Sequence, residues 1–375
     1  MVSPSRTTLA AVAVTAAVGL LAACSTESPS PAAPPVEEEA TESAAPDDAA
    51  EEDTEPVALT FVGYGGSGQD AMISAWQQPY TAAHPNVTFV NTSPPDVAQV
   101  KAQVESGAVQ WDVLATAPYA AEQNCDVLFE PLDLELTVDE ADLVEGAIGE
   151  CYIGNWINAT PLAYRTDAFP EGDGPTSVAD FFDVEGFPGQ RGIVTNLQNG
   201  ILEYPLIADG VAPDELYPLD VDRALAKLDE IRSVTTFAPN VGALQQAVAS
   251  DQVDMFFLPD SRIVPQLIEG DEITVVWDVT VASVNAFAIP KGSAHKEAAQ
   301  RFVASVVEPD QVEAISEALG VAPINTTAEP DLDENASQVE VFGDVNDGET
   351  VIQDIPWYAE NFNDVTTQLT NWLAG

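Results

Sequence analysis

From residue 57 onward, short apolar segments alternate with segments whose apolar residues recur at helical spacing. The apolar segments predict buried strands, and the amphipathic segments predict helices. The order strand, helix, strand, helix, strand is predicted at residues 57–62, 69–84, 87–90, 95–106 and 111–115, and Pro79 predicts a kink in the first helix. Strands joined through helices form parallel sheets covered on both faces. This alternation restricts the chain to an α/β fold.

A second alternation of the same kind begins after residue 160. Strands at 162–164, 192–195 and 253–258 alternate with helices at 177–182, 200–208, 221–232 and 241–250. Strands at 273–277 and 283–289 lead into a helix at 295–307, and a last helix covers 358–373. We therefore predict two α/β lobes, each a mostly parallel sheet flanked by helices, with lobe 1 at 57–160 plus 283–375 and lobe 2 at 161–282. A ligand cleft is expected between the lobes, beyond the carboxyl ends of the strands.

The first 23 residues have the order of an export signal, because Arg6 precedes an apolar run at residues 9–23. That run is too short to span a bilayer. It ends in Leu21-Ala22-Ala23-Cys24, which resembles the bacterial lipobox, where the cysteine is acylated and the chain is cleaved before it. Two acyl chains on one residue give stable anchoring. We expect a lipoprotein signal peptide at 1–23 and lipidation of Cys24, with an ordinary cleaved signal as the alternative.

Acidic residues dominate the chain. Residues 25–55 contain eleven Asp or Glu and no Lys or Arg, and such a segment cannot bury enough apolar surface to fold, which predicts a disordered tether at 24–56. The formal net charge is −51, with only 11 Lys and Arg. Nucleic acid and anionic lipid require concentrated basic residues, so both are excluded as partners. The acidic surface either attracts cationic solutes or suits salty surroundings.

Two cysteines remain after Cys24, at Cys125 and Cys151. Outside the cytoplasm, a pair with this separation is more often a disulfide than a metal-binding or catalytic pair. We predict a disulfide between them.

A glycine-rich turn lies between the first strand and the first helix, where Gly63-Tyr64-Gly65-Gly66-Ser67-Gly68 has the form G-x-G-x-x-G. This is the form of a dinucleotide fingerprint. However, residues 89–91 hold no acidic residue for a ribose, and an exported protein meets little dinucleotide. The turn is therefore either a ligand loop, in which backbone N–H groups approach the oxygens of a solute, or a plain turn.

Catalytic and metal-binding motifs are absent from the sequence. There is no G-x-S-x-G, H-E-x-x-H, P-loop lysine, Tyr-Tyr pair or D-x-D-x-D-G loop. His84 and His295 are predicted to be surface histidines without an orienting acid. We expect no enzyme activity, no metal and no cofactor, and an exported α/β hydrolase or oxidoreductase that uses the same cleft is the alternative.

Five short stretches occur in a consistent order between residues 57 and 326. They are WDVL at 111–114, YRTD at 164–167, PTSVADF at 175–181, AIPKG at 288–292 and KEAA at 296–299. Together they resemble the extracytoplasmic solute-binding proteins of ABC importers, and in particular the spermidine/putrescine branch. The resemblance implies a two-lobed periplasmic-binding-protein-like fold of type II that closes on its ligand by a hinge. It also implies a monomer, anchored outside the cytoplasm, that delivers a small polar solute, with a polyamine as the candidate, to permease subunits.

Candidate ligand-binding residues lie at or just after predicted strand ends, or at the start of the last helix. They are Tyr64, Gly65, Ser67, Tyr119, Trp156, Asp260, Asn285 and Asn361. At the position before the AIPKG stretch where the spermidine/putrescine branch has an Asp, this chain has Asn285.

Overall fold

The computed structural model describes residues 55–170 and 172–375. In this part of the chain the strands are β1 Val57–Val62, β2 Val87–Thr92, β3 Val113–Thr116, β4 Ile153–Arg165, β5 Arg191–Val194, β6 Thr235–Ala238, β7 Met255–Phe257, β8 Ile273–Ala288 and β9 Glu349–Ile352. The helices are α1 Gly66–Met72, α2 Gln78–Ala83, α3 Val97–Ser106, α4 Pro118–Gln123, α5 Val178–Phe182, α6 Glu203–Ala208, α7 Val221–Ile231, α8 Val241–Ala249, α9 Asp260–Glu269, α10 Lys296–Ser305, α11 Pro309–Leu319 and α12 Ile355–Ala374. The predicted leader, tether and Cys24 lie outside the described residues.

Two long antiparallel strands, β4 and β8, run through the middle of the sheet. The strand order is β2-β1-β3-β8-β4-β7-β5-β6, and β9 pairs with β8. On one side, β1 pairs in parallel with β2 and β3, and on the other side β5 pairs in parallel with β6 and β7. Each parallel group is joined to the central pair by an antiparallel contact, β3 to β8 and β7 to β4. Each parallel group therefore lies beside one strand of the central pair.

The two strands predicted at 273–277 and 283–289 are one strand, β8. Its pairing with β4 shifts between Thr160 and Leu162: Thr160 lies opposite Val281, whereas Leu162 lies opposite Val276. Between these two pairs, Val279 and Thr280 of β8 pair with β9, opposite Glu349 and Thr350. The segment between the two predicted strands is thus an irregularity in the β4–β8 pairing within one continuous strand.

The helix predicted at 69–84 is divided into three segments. Helix α1 passes into a π-helical turn at Ile73–Gln77, which is followed by α2 with Pro79 in its first turn. Proline is tolerated in the first turn because its missing N–H has no intrahelical partner there. The π-helical turn buries Trp76, whose ring stacks on Trp156 with centroids 5.8 Å apart.

Cys125 and Cys151 are joined by a disulfide bond, with their Cα atoms 5.4 Å apart. The bond closes a loop of 26 residues. Because a cross-link removes conformational freedom from the unfolded chain, we expect the Cys125→Ala, Cys151→Ala double variant to lose about 2–4 kcal/mol of unfolding free energy. Urea unfolding of exported protein measures the loss. A denaturation midpoint equal to that of the parent, together with two free thiols by intact mass, would show that the bond does not form in solution.

Candidate ligand-binding site

A cavity of about 170 Å³ lies against one face of the β4–β8 pair. Its floor is formed by two directly opposed residue pairs, Trp156 with Asn285 and Asn158 with Ser283. Residues two apart on a strand face the same side of a sheet, so these four side chains share one face. A cavity of about 150 Å³ accommodates a molecule of the size of benzene. The volume therefore suits a solute of a few heavy atoms.

The walls of the cavity come from the turns that follow parallel strands. The lining residues that follow β1 are Tyr64 and Gly65, those that follow β5 are Asn196, Gln198 and Asn199, and those that follow β7 are Pro259, Ser261 and Arg262. Gly65 has a φ of 74°, a left-handed conformation that strongly favours glycine, and this conformation starts α1. The ligand cavity is thus placed where the carboxyl ends of parallel strands converge, as expected for open α/β sheets.

Polar neutral groups line most of the cavity. The side-chain amides among the lining residues are those of Asn158, Asn196, Gln198, Asn199 and Asn285. The buried atoms that have no hydrogen-bond partner within the described chain include Oδ1 of Asn285, Oδ1 of Asn199 and Nε1 of Trp156. Leaving a buried polar atom unpaired costs about 1–3 kcal/mol. These three atoms belong to residues that line the cavity, so a ligand that reaches them would supply the missing partner.

Tyr64 is held by Asn285, whose Nδ2 donates to the Tyr64 Oη at 2.9 Å. About 40% of the Tyr64 surface is exposed, but the hydroxyl lies inside the protein, and this burial raises the pKa of Tyr64 to about 12. The hydroxyl thus remains protonated at physiological pH. It can donate to a ligand oxygen while it accepts from Asn285.

Arg262 is the single charged side chain among the described lining residues, which include no Asp, Glu or Lys. This is notable in a chain with 62 Asp and Glu and 11 Lys and Arg. The side chain is half-buried and makes no ion pair with any described residue. Burial lowers the pKa of the Arg262 guanidinium, but an arginine remains protonated at physiological pH. It also lies in the first turn of α9, where the helix dipole is positive.

Asp260 lies beside this arginine in sequence but faces away from the cavity. The side chain is 1% exposed, and its two oxygens accept hydrogen bonds from the backbone N–H groups of Ala159 at 2.9 Å and Ser261 at 2.6 Å. Burial raises the pKa of Asp260 to about 8, in spite of these two donors. The carboxyl attaches the start of α9 to β4.

The raised pKa of Asp260 predicts a pH-dependent effect of the Asp260→Asn substitution. The folded-state pKa of Asp260, about 8, lies above the ordinary value of 3.8. The contribution of this group to the free energy of unfolding is therefore fully present below about pH 4 and is lost as the pH rises through about 8. Asparagine is neutral throughout. We expect the difference in the free energy of unfolding between the variant and the parent to rise, in favour of the variant, by on the order of a few kcal/mol between about pH 5 and pH 9. Urea unfolding at each pH measures this difference. Parallel curves for the variant and the parent, or the same gain for the exposed control Asp133→Asn, would contradict this assignment.

The structure places four of the eight candidate residues in the cavity lining and three elsewhere, namely Tyr119, Asn361 and Asp260. Tyr64, Gly65, Trp156 and Asn285 line the cavity, and their contacts with a ligand stay a prediction. Ser67 lies in α1, and its side chain is outside what the structure describes.

Two other candidate residues are packed elsewhere. Tyr119 lies in the core, with its ring centroid 5.3 Å from that of Tyr358 and 5.1 Å from that of Phe362. Asn361 donates from Nδ2 to the Trp357 carbonyl at 2.8 Å, within its own helix. Neither is among the lining residues.

Sequence reasoning did not select Arg262 or the amides that follow β5. Residues 195–199 and 259–262 both follow predicted strands at 192–195 and 253–258, so their position at strand carboxyl ends was a usable signal. Arg262 is also one of six arginines beyond the leader, which makes a strand-end arginine informative in so acidic a chain.

His295 differs from the prediction of a surface histidine without an orienting acid. Its Nδ1 lies 3.2 Å from each carboxylate oxygen of Asp112, and Asp112 is buried and accepts from Ser293 Oγ at 2.6 Å. The serine and the histidine thus both contact the acid. A serine nucleophile needs the histidine between it and the acid, so this arrangement does not activate Ser293.

The chain has the fold of the type II periplasmic binding proteins, two α/β lobes with a ligand cleft between them. A solved structure of the Atu4243–GABA receptor matches with a TM-score of 0.76 and 27% identity, over 84% of this chain and 97% of that one. A solved ABC transporter substrate-binding protein from Bradyrhizobium japonicum USDA 110 matches with a TM-score of 0.76 and 28% identity, over 84% and 99% of the two chains. The predicted fold class is confirmed.

Residues 75–341 match the family model of the bacterial extracellular solute-binding proteins, and the chain belongs to this family. The gamma-aminobutyric acid-binding protein of Pseudomonas aeruginosa PAO1 is 30% identical over 283 residues, which is 74% of this chain and 80% of that protein. Proteins of this family are not enzymes, so the exported hydrolase or oxidoreductase is set aside. The predicted solute-binding class is confirmed, whereas these relatives do not point to the spermidine/putrescine branch. No helix in the described residues is long and apolar enough to cross a bilayer.

Proposed function

We propose that this protein captures a small amino acid with a carboxylate at one end and an ammonium group at the other, with gamma-aminobutyric acid (GABA) as the leading candidate, for an ABC importer. The observation that carries this proposal is the unpaired Arg262 as the only charge among the described lining residues. A half-buried guanidinium without a counter-ion presents a planar set of donors that matches a carboxylate. The two relatives named for GABA support the same ligand class.

The ammonium end of such a ligand is received by neutral groups. The free Oδ1 of Asn285 and the free Oδ1 of Asn199 are acceptors, and the faces of Trp156 and Tyr64 can lie over a cation. Arg262 supplies the counter-charge of the ligand carboxylate. The single ammonium group has these neutral acceptors and aromatic faces as the equivalent of a counter-ion.

A polyamine is less well served by this cavity. Two or more ammonium groups have to be desolvated on binding, and each needs a carboxylate or an equivalent partner. The described lining residues include no Asp or Glu, and they place the positive charge of Arg262 beside the ligand. A polyamine is therefore a weaker candidate ligand for this cavity than an amino acid.

Delivery of the ligand requires closure of the two lobes and docking on permease subunits. We place lobe 1 at 57–160 plus 283–375 and lobe 2 at 161–282, joined by β4 and β8 and closing over the cavity as hinged lobes do. Acyl chains on Cys24 anchor the monomer to the outer face of the membrane, and residues 24–56 act as its tether.

The proposal is tested by isothermal titration calorimetry of the exported protein with a panel of solutes. GABA is expected to bind saturably and to be recovered unchanged. Butyrate, which keeps only the carboxylate, is expected to bind more weakly, and putrescine, which has two amines, is expected not to bind. Saturable binding of putrescine or spermidine without binding of GABA would overturn the assignment of the ligand class.

A further inference from the structure

A carboxyl group that the proposed ligand contacts do not use is buried behind the cavity. Glu203, the first residue of α6, is fully buried. Its Oε1 accepts three hydrogen bonds, each of 2.7 Å, from the hydroxyls of Tyr217 and Tyr358 and from Nε2 of Gln353. Its Oε2 has no partner among the described residues. Because three donors converge on a single oxygen, this carboxyl fixes the positions of the three side chains that donate to it.

Gln353 connects that carboxyl to one wall and to the floor of the cavity. Its Nε2 donates to the Leu197 carbonyl at 2.8 Å as well as to Glu203. Leu197 begins the short 3-10 helix that carries Gln198 and Asn199 into the cavity lining. The backbone N–H of Gln353 donates to the Ala282 carbonyl at 3.0 Å, one residue before Ser283 of the cavity floor. One glutamine therefore holds a wall and the floor in register.

The next residue of α6 makes a parallel attachment to the crossing strands. The Tyr204 hydroxyl donates to the Thr160 carbonyl and accepts from the Val281 N–H at 2.8 Å. These two residues lie opposite each other where the β4–β8 pairing shifts. The first turn of α6 is thus fixed both to the segment after β9, through Glu203, and to the crossing strands, through Tyr204.

We propose that Glu203 is a positioning residue for the ligand cavity, because its carboxyl holds Gln353 in the one orientation that fixes the Leu197–Asn199 wall against β8. The inference rests on the proposed function in so far as the wall contacts the ligand. Burial raises the pKa of Glu203, which favours the neutral carboxyl. A neutral carboxyl and a glutamine amide present the same accepting Oε1, so glutamine can replace this residue.

The test compares Glu203→Gln with Glu203→Leu. The glutamine variant keeps the acceptor and is expected to bind GABA within about threefold of the parent, whereas the leucine variant is expected to bind at least about tenfold more weakly. Leu228→Ala is the matched control, since Leu228 is fully buried on α7 and is not a lining residue. It is expected to lower the melting temperature by a similar amount without changing the affinity by more than about twofold.

Hydrogen exchange of the unliganded proteins gives a readout that does not depend on the identity of the ligand. The amides of residues 197–199 are expected to exchange faster in Glu203→Leu and in Gln353→Met, and at the parental rate in Glu203→Gln and Leu228→Ala. Unchanged exchange at 197–199 in both Glu203→Leu and Gln353→Met would overturn the positioning role. If exchange at 197–199 is faster in these two variants but the parent does not bind GABA, the positioning role of Glu203 is retained and only the proposed ligand is refuted.

Discussion

Replacing Arg262 with leucine is expected to weaken GABA binding by at least about 100-fold, which corresponds to about 2.7 kcal/mol. The described cavity lining offers a ligand carboxylate no other positive charge. Hydrogen bonds to charged groups contribute about 1.5–3 kcal/mol, and an unpaired carboxylate that is taken out of water carries a further penalty. Calorimetry with GABA measures the loss.

Three comparisons separate charge recognition from damage to the fold. Arg262→Lys keeps the charge but loses the forked geometry, and we expect an intermediate affinity. Arg223→Leu removes an exposed arginine that pairs with Asp209 at 2.6 Å, and we expect parental binding. Since Arg262 has no ion pair to lose, Arg262→Leu is expected to melt at or above the parental temperature. If Arg262→Leu binds GABA as tightly as the parent does, the carboxylate is held elsewhere.

The strands that are buried on both faces could be read from the sequence. The prediction of 57–62 coincides with β1, and 192–195 differs from β5 by one residue at each end, because a continuous apolar run between polar turns has few other interpretations. The short strand β9 was not predicted. Its sequence, Glu349 to Ile352, is half polar and is recruited by the edge of β8 where that strand leaves β4. Such recruitment depends on a long-range pairing that local pattern does not encode.

The position of the cavity could be predicted from the sequence, but the set of residues that line it could not. Tyr64 follows from the rule that ligands lie near the carboxyl ends of parallel strands, because it comes just after β1. Trp156 and Asn285 lie inside β4 and β8, opposite each other on the cavity floor, which the rule does not cover. Tyr119 obeys the same rule in sequence, but its ring packs against Tyr358 of α12. The last helix covers α4, and no property of the two segments taken separately indicates that contact.

The surface and the cavity of this protein differ in charge. The chain carries −51 overall, yet the described lining residues carry one positive charge and no negative one. Asp260, which is next to lining residues in the sequence, accepts hydrogen bonds from Ala159 and Ser261 and does not line the cavity. The acidic composition therefore does not by itself indicate a cationic ligand.

Replacing Arg191 with methionine is expected to cause the largest loss of stability of the changes considered. Arg191 is fully buried at the start of β5. Its guanidinium donates to four backbone carbonyls that precede it, those of Phe181 at 3.1 Å, Gly189 at 2.6 Å, Asp183 at 3.3 Å and Phe187. Three of these carbonyls lie in the segment between α5 and β5, and the fourth, that of Phe181, belongs to α5. The Asp183 carbonyl also accepts from the Phe187 N–H at 3.0 Å, so the guanidinium adds to the backbone hydrogen bonds of this segment and ties it to the start of β5.

Methionine has a similar length but no donor, so the Arg191→Met variant removes the side-chain donor from all four carbonyl oxygens, of which that of Asp183 keeps its bond from the Phe187 N–H. Hydrogen bonds to a charged group contribute about 1.5–3 kcal/mol each, and several are lost here, so we expect the free energy of unfolding by urea to fall by about 3–5 kcal/mol. The control, Arg223→Met, breaks an exposed pair and is expected to cost less than about 1 kcal/mol. Because none of the four carbonyls belongs to a lining residue of the cavity, GABA affinity is expected to be retained below the melting temperature of the variant. A loss of less than about 1 kcal/mol in Arg191→Met would mean that water satisfies these carbonyls as well as the guanidinium does.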